Sequence, residues 1–389
     1  MSTTWATATR VKCRTLRGVK RETPMGTVDA PRPGFGFEAR AVAAAAVAAR
    51  RCQPPAAAAM GCTASNPQTQ GAAYKLDRPV VDKVTSEYDH GGMPVVQVAM
   101  QGWRRTMEDV ALVQCGMPSR KDVLALGVFD GHSGKEAAVF AQEQILGFVE
   151  ATEEWSNGDI QEACVTGFLA ADDAMRAKGV RSGTTAVVAF VTPARMVVAN
   201  CGDSRSVLSR GGRQLPMSQD HKPARKAERR RVLKSGGFLD DSDKHCTRIV
   251  AKSSLQMSIA TSRALGDFDF KATKDRAPGE QMVSPVPEFC ERERSPLDEF
   301  LILATDGVWD VMDNPEIVRH LKAQVAQHPE MSLAGLAHGV LDRCLQLGST
   351  DNCTIVLADL RTVPPPPPPQ GPGPGTGAGG AGTEVGGVV

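Results

Sequence analysis

The 389-residue sequence predicts an α+β fold in which β-sheets are flanked by helices. Short apolar runs of β-forming residues recur between about residues 74 and 362, and stretches with helical apolar spacing separate them. Two long helical stretches follow one group of strands and two more precede the last strand, unlike the regular alternation of a βαβ fold. No internal repeat of roughly 20–50 residues is visible.

The predicted elements follow from local pattern. The candidate strands are Val95–Met100, Val110–Cys115, Val123–Phe129, Thr184–Thr192, Met196–Cys201, Ser206–Ser209, Phe300–Ala304 and Thr354–Leu360. The candidate helices are Gly134–Thr152, Ile160–Ala177, Lys226–Ser235, Pro315–Gln327 and Leu333–Leu347. In the first helix Ala137, Phe140, Ala141 and Ile145 recur at the spacing of one helical face, which predicts an amphipathic helix.

Composition narrows the functional classes. The net charge is +1 and aromatic residues make up 5% of the chain, so neither nucleic acid nor an acidic membrane surface is indicated as a partner. The 10 cysteines include no Cys-x-x-Cys pair, which favours reduced thiols inside a cell over a disulfide framework or a zinc site. No apolar run approaches the roughly 18 residues of a membrane span.

The N-terminal segment 1–73 is expected to be disordered or to serve in targeting. Its first 59 residues are rich in Arg, Lys and Ala and poor in acids, a composition typical of a transit peptide and equally of a disordered tail. At the other end, residues 363–389 contain six consecutive prolines and many glycines. We expect a disordered Pro/Gly-rich tail there, with a polyproline ligand as the alternative.

A lipidation signal lies inside the N-terminal segment. Met60-Gly61-Cys62 begins a match to M-G-x-x-x-[ST], which works only at a free N-terminus. If Met60 is the true or an alternative start, Gly61 is expected to be myristoylated and Cys62 palmitoylated, and the alternative is a chance match. The expected location is intracellular, cytoplasmic or nuclear; acylated membrane attachment and organelle import are the alternatives.

Five predicted strands carry acidic residues at one end. The acids are Glu108 and Asp109, Asp130, Asp203, Asp306, and Asp351. A single Asp at a strand end is usually a turn former, but five such ends exceed what turns require. Gly131 and Gly307 follow two of the acids and allow close approach of the backbone. Strands packed together would bring these acids to one rim, so the sequence predicts a single carboxylate centre.

Carboxylates without a Cys or His ligand set favour Mg²⁺ or Mn²⁺ over Zn²⁺. Two such ions lower the pKa of a trapped water and clamp a phosphoryl group. Arg104, four residues before Glu108, has the planar fork that binds phosphate. His132, two residues after Asp130, is placed to protonate a departing alkoxide. Taken alone, Arg104 also fits a surface charge and His132 a loop hydrogen bond.

Eight motifs then occur in order. They are Gln101–Asp109 (QGWRRTMED), Phe129–Gly134 (FDGHSG), Ser182–Ala186 (SGTTA), Asn200–Arg205 (NCGDSR), Asp220–Pro223 (DHKP), Ser262–Phe270 (SRALGDFDF), Ala304–Val311 (ATDGVWDV) and Ser349–Cys353 (STDNC). With them the chain resembles the metal-dependent serine/threonine protein phosphatases of the PPM, or 2C, type over about residues 91–362. One such motif is weak, whereas eight in order are specific.

The resemblance implies a four-layer αββα sandwich of two mainly antiparallel sheets, with a dinuclear Mg²⁺ or Mn²⁺ centre at one edge and one phosphatase domain spanning 74–362. The metal positions that it implies are Glu108, Asp109, Asp130, Gly131, Asp203, Asp306, Asp310 and Asp351. Asp130 would bridge the two ions, and Asp203 and Asp310 would belong to a weaker third site shared with Asp306.

The resemblance also implies the reaction. A hydroxide bound to the two metals would attack phosphoserine or phosphothreonine of a protein directly, Arg104 would bind the phosphate, and His132 would be the general acid. We expect a monomer. None of the implied positions is substituted, which argues against a non-catalytic binding module. An enzyme for small phosphate esters stays open as the second alternative.

Two segments depart from the resemblance. Residues 224–233 (ARKAERRRVL) are unusually basic, which fits either a solvated helix face or a docking surface for acidic or phosphorylated substrates. Residues 252–259 (KSSLQMSI) replace a shorter Gly-containing turn, so the region beside the site is expected to differ there.

Overall fold

The computed structural model describes residues 75–243, 246–251 and 257–365. The predicted N-terminal segment 1–73, its Met60 signal and all but three residues of the predicted tail 363–389 lie outside the described residues. So do residues 252–256 of the departing segment.

Two antiparallel sheets form the centre of the fold. The first contains, in spatial order, β1 (Lys75–His90), β2 (Met93–Arg104), β17 (Cys353–Asp359), β16 (Asp298–Ala304), β9 (Arg205–Arg210) and β10 (Arg213–Pro216). The second contains β15 (Glu288–Glu293), β8 (Arg195–Cys201), β7 (Ala186–Val191), β4 (Leu124–Phe129) and β3 (Val110–Cys115). Two small sheets consist of β14 (Leu265–Gly266), β6 (Gly183–Thr184) and β5 (Gly131–His132), and of β11 (Phe238–Asp240), β12 (Arg248–Val250) and β13 (Ser258–Ile259).

The described residues form seven α-helices, most of which cover the outer faces of the two large sheets. They are α1 (Glu136–Glu150), α2 (Glu153–Ser156), α3 (Ile160–Lys178), α4 (Lys226–Lys234), α5 (Asp306–Trp309), α6 (Asn314–Gln327) and α7 (Leu333–Gln346). The helices α1 and α3 share a core with the second sheet, and α6 and α7 share one with the first. Among the described residues, no helix is both long and apolar enough to cross a membrane.

The central strands are apolar throughout because both of their faces are buried. In β16, Leu301 and Leu303 point into the core between the two sheets. Phe300 and Ile302 of the same strand pack on the helical side. The same alternation in β4 and β7 completes the three apolar layers of an αββα sandwich. The predicted fold is therefore confirmed.

Local signals explain where the helices start and stop. The α6 helix begins at a capping box, in which the side chain of Asp313 accepts a hydrogen bond from the Glu316 amide and the Glu316 side chain accepts one from the Asp313 amide. The α3 helix begins after Asp159, whose side chain caps the Glu162 amide, and ends at Gly179 with a φ of 71°. The five predicted helices coincide with helices of the structure.

The predicted strands also match, with one correction. Thr184–Thr192 is not one strand, because Thr185 interrupts it between β6 and β7. The Thr185 amide donates to the Asp130 carbonyl at 3.0 Å, and its hydroxyl accepts from the Asp130 amide at 3.1 Å. Thr185 thus leaves the sheet ladder in order to hold Asp130. Strand β1 was not predicted, since this edge strand is largely polar and has no apolar run.

The α4 helix and the β11–β13 sheet form a small unit with its own core. Val232 of α4 packs with Leu239, Ile249 and Ile259 from the three strands. On the buried face of the same helix, Glu228 is 1% exposed. Its carboxylate accepts hydrogen bonds from Ser262, Arg231 and Arg263. The helix is therefore fixed to the body of the protein by buried charge as well as by apolar contacts.

Leu303→Ala should destabilise the sandwich, because the 0% exposed side chain fills the space between the two sheets. We expect the free energy of unfolding to fall by about 2–5 kcal/mol. The matched control, Leu297→Ala at a 63% exposed position, should change it by less than about 0.5 kcal/mol. Urea titrations followed by tryptophan fluorescence measure both, and equal midpoints for the two variants would contradict the burial argument.

Candidate metal centre

The pairing of strands in the second sheet brings two of the predicted acids together. Val110, the first residue of β3, lies opposite Phe129, the last residue of β4. Asp109 and Asp130 flank this pair on the same side and are therefore neighbours. Asp109 accepts a hydrogen bond from the Thr305 hydroxyl at 2.9 Å, which ties the second sheet to the first.

The register of the first sheet brings three more acids to the same rim of the sandwich. Ala304, the last residue of β16, lies opposite both Arg205 at the start of β9 and Ile355 near the start of β17. The acids beside these positions are Asp203, Asp306 and Asp351. In an antiparallel sheet, one strand ends at the edge where its neighbour begins. Asp306, which follows β16, and Asp203 and Asp351, which precede β9 and β17, therefore lie at the same rim.

The buried acids of the rim repel one another. Burial and the charges of its neighbours raise the pKa of Asp130 well above its usual range, despite a hydrogen bond with Asp306. Burial and the neighbouring acids, Asp130 first among them, do the same to the pKa of Asp306. Burial raises the pKa of Asp109 to about 7, with a smaller contribution from neighbouring acids. A cation at this rim would relieve all three penalties.

The remaining predicted acids lie at the edge of the cluster. Burial and the charge of Asp203 raise the pKa of Asp310, and Lys222 opposes the shift. The Glu108 carboxylate accepts hydrogen bonds from the Thr106 hydroxyl at 2.9 Å and the Gly134 amide at 3.2 Å. The Glu108 side chain is therefore oriented by the loops beside Asp130.

Two glycines permit the close approach of backbone at this rim. A Cβ atom on Gly131 would lie 2.5 Å from the Glu108 carbonyl oxygen, and one on Gly307 would lie 1.9 Å from the Asn352 carbonyl oxygen. No larger residue fits either position without moving the backbone. Gly131 thereby brings its own backbone close to that of Glu108.

Basic side chains contact two of the acids. Arg104 forms an ion pair with Asp351, and Lys222 donates to Asp203 at 2.5 Å. Lys222 was not predicted as a site residue, although it stands in the Asp220–Pro223 motif. In the described part of the chain, no three Asp, Glu, His or Cys side chains form a ready-made metal site.

The donor set nevertheless fits the expected metals. The rim offers carboxylate and carbonyl oxygens, which suit Mg²⁺ and Mn²⁺. Mg²⁺ keeps several of its waters and is usually held through one or two carboxylates together with the substrate phosphate, so it does not need a closed protein cage. The raised pKa values of Asp130 and Asp306 mark where positive charge is most favourable.

His132 lies beside the rim and is held by an acid that sequence reasoning missed. Its Nε2 atom lies 2.7 Å from Oδ2 of Asp267. Burial alone would lower the pKa of His132, but the Asp267 carboxylate outweighs burial and raises it. Asp267 is 9% exposed and has a φ of 52°, in the left-handed region that Asp tolerates better than most residues.

The turn that carries Asp267 is fixed by a buried ion pair. Asp172 of α3 accepts hydrogen bonds from the Gly266 amide at 2.8 Å and from Lys271 Nζ at 2.6 Å. Lys271 also donates to the Ala264 carbonyl at 2.8 Å. Asp172 and Lys271 therefore hold both sides of the turn. The Ser262–Phe270 motif gave a signal for Asp267, whereas nothing in the sequence pointed to Asp172.

Asn352 fixes the loop that leads from Arg104 to Asp109. Its side-chain amide donates to the carbonyls of Gln101 at 2.8 Å and Thr106 at 3.0 Å. Its side-chain oxygen accepts from the Glu108 amide at 2.9 Å. Asn352 follows Asp351 directly, so one segment contributes an acid and positions the loop opposite it. Asn352 stands in the Ser349–Cys353 motif, but nothing in the sequence pointed to this positioning role.

Comparison with known proteins identifies the family. The family model described as Protein phosphatase 2C matches residues 94–353. The chain is 35% identical to mouse (Mus musculus) protein phosphatase 1B, with 74% of this chain and 76% of that protein covered. It is 34% identical to bovine (Bos taurus) protein phosphatase 1A over the same shares.

Solved structures agree on the fold. The serine-threonine phosphatase 2C of Toxoplasma gondii superposes with a TM-score of 0.61 at 20% identity, covering 72% of this chain and 99% of that chain. This structural likeness shows the fold, and the family model and the sequence relatives show the family. The chain thus belongs to the protein phosphatase 2C family, the metal-dependent serine/threonine protein phosphatases.

Proposed function

We propose that the chain hydrolyses phosphoserine and phosphothreonine in proteins with the help of two Mg²⁺ or Mn²⁺ ions, which Asp130 and its neighbours at the rim would hold. The observation that supports this most is the concentration of buried acids at the rim: burial raises the pKa values of Asp130 and Asp306, and the charges of neighbouring acids raise them further. When bound, such ions activate a water for attack on phosphorus and neutralise charge on the phosphoryl oxygens.

The other rim acids take the roles that fit their positions. Asp306 and Asp351 would hold one ion, and Glu108 and Asp109 would act directly or through water. The Gly131 carbonyl completes the set. Asp203 and Asp310 are assigned to a weaker third site.

Arg104 binds the substrate phosphate. Its guanidinium already pairs with Asp351 at the edge of the rim, and its side chain is 47% exposed. A planar fork can exchange a carboxylate for two phosphoryl oxygens, which a single ammonium group cannot match.

His132 protonates the departing serine or threonine oxygen. Its contact with Asp267 occupies Nε2, so Nδ1 is the nitrogen assigned to the substrate. The carboxylate stabilises the protonated ring before the proton is transferred. Asp267 is thus a positioning residue, and Asp172 and Lys271 position Asp267 in turn.

The protein is further proposed to work as an intracellular monomer. The described cysteines form no disulfide, and burial raises the pKa of Cys201 to about 12, which keeps this thiol protonated and unreactive. This supports a reducing compartment. Acylation at Gly61 and Cys62 applies only to a form that starts at Met60.

Asp130→Asn and Asp306→Asn should each lower Mn²⁺-dependent hydrolysis of a phosphothreonine peptide by about a thousandfold or more, since metal binding supplies several kcal/mol of charge stabilisation. In a chelator, neither variant should melt below the parent protein, because an ionised carboxylate whose folded pKa is raised destabilises the fold. The control is the exposed Asp173→Asn, which should keep full activity. Substantial activity in both rim variants would refute the assigned centre.

Asp172→Asn should slow phosphothreonine peptides by about tenfold or more while changing p-nitrophenyl phosphate hydrolysis by less than about twofold. A nitrophenolate leaves without protonation, so only the peptide reaction needs a well-placed His132. Steady-state rates on both substrates test this, with the neighbouring Asp173→Asn as control. If both substrates slow equally, the Asp172–Lys271 pair has a structural role alone.

Mass spectrometry of the N-terminus of the native protein tests the acylation signal. A form that starts at Met60 should lack this Met and carry a myristoyl group on Gly61. Detection only of N-termini upstream of Met60 would rule the lipid anchor out.

A further inference from the structure

The cations of the α4 segment fall into an inner and an outer group, and Arg229 is paired separately with Asp241 at 2.8 Å. The inner group is neutralised by buried or half-buried acids: Arg231 Nη1 lies 2.6 Å from Glu228, and Arg225 Nη1 lies 2.8 Å from Glu288. The Arg225–Glu288 pair attaches the start of the helix to β15. The Arg231–Glu228 pair lies within the helix, and Arg263, 2.8 Å from Glu228, links it to the rest of the protein. The two acids offset much of the positive charge on that side.

The outer group forms a continuous line on the helix surface. Lys226, Arg230 and Lys234 are exposed and repeat every four residues, so they share one helical face, called here the basic stripe. Among the described residues, Lys226 and Arg230 have no ion pair. Lys234 lies 3.5 Å from Glu280, and both side chains are largely exposed, so that pair is weak. Leu233, 53% exposed, lies beside the stripe.

The stripe starts at the rim of the candidate metal centre. Lys222, which contacts Asp203, stands four residues before Lys226. A cavity of about 360 Å³ lies beside both regions: it is lined by Arg205, two residues after Asp203, and by Arg225, the residue before Lys226. Four residues of chain span at most about 14 Å, so the start of the stripe lies within reach of a peptide bound at the rim.

The geometry points to a docking surface on the basic stripe for acidic segments of phosphoprotein substrates, an inference that rests on the proposed function. Four residues of helix rise about 6 Å. Alternate residues of an extended peptide are about 6.6 Å apart and face the same side. Carboxylates at every second position of an extended segment therefore match the three cations. Duplex nucleic acid and membranes present far larger charged surfaces than this line of three.

Matched phosphothreonine peptides provide the probe. One set carries three Asp at alternate positions in a tail on either side of the phosphothreonine, a second carries Asn at those positions, and a third carries the three Asp consecutively. With the full chain and Mn²⁺, the KM of the alternating peptide should be about tenfold below that of the Asn peptide, with similar kcat. The difference should shrink as salt is added.

The triple variant Lys226→Gln, Arg230→Gln, Lys234→Gln should lose this preference, to within about twofold, because it removes the charge and keeps good helix formers. Hydrolysis of the Asn peptide and of p-nitrophenyl phosphate should stay unchanged. The control variant Lys121→Gln, Arg213→Gln removes two exposed cations at the opposite end of the sheets and should keep the preference.

Equal KM values for the three peptides, or a preference that survives in the triple variant, would overturn the docking surface. Anisotropy of a labelled alternating peptide measures docking without turnover, so loss of hydrolysis with intact binding would count against the proposed function alone. Tighter stripe-dependent binding of labelled single-stranded DNA, or of phosphatidylserine vesicles, than of the peptide would also overturn it.

Discussion

Mutual repulsion among buried carboxylates is the constraint that the rest of this fold has to satisfy. Burial raises the pKa values of Asp109, Asp130 and Asp306, and the charge of each of these acids raises the pKa of another one further. Flexible loops would let such acids move apart into water. Here each acid directly adjoins a central strand or lies within two residues of its end, and apolar packing between the sheets and against the helices fixes those strands. The free energy of apolar packing therefore offsets the repulsion among the acids of the site.

A second set of charges holds the groups around the carboxylates. The Asp172–Lys271 pair is nearly inaccessible, with side chains 6% and 1% exposed. Removing one partner would leave an unpaired buried charge, so the pair is maintained as a unit. Because it lies beneath the turn of Asp267, its rigidity reaches His132 through a single hydrogen bond. Asp172 and Lys271 can thus affect the chemistry through the position of His132, although they lie away from the substrate.

The sequence revealed elements whose two faces are both buried, since continuous apolar runs such as Phe300–Ala304 are easy to recognise. It did not reveal β1, whose exposed edge leaves no such run. The acids at strand ends were visible for the same local reason. The contacts that these acids and His132 make were not visible: Lys222 and Asp267 stand in motifs, but their partners at the site, like those of Asp172, depend on tertiary packing that local pattern does not encode. The interruption at Thr185 likewise depends on a contact with Asp130.

The inner face of α4 attaches the helix to the protein, and its outer face carries the cations that we propose to bind substrates. Arg231 and Glu228 fix its inner face, and Val232 packs into the small core. Lys222 lies before the helix and contacts Asp203 directly. Substitutions at Lys226 or Arg230 can change the charge presented to a substrate without moving the rim. Since Coulomb attraction at an exposed surface acts mainly on encounter and binding, this arrangement lets substrate preference vary while the chemical step stays constant.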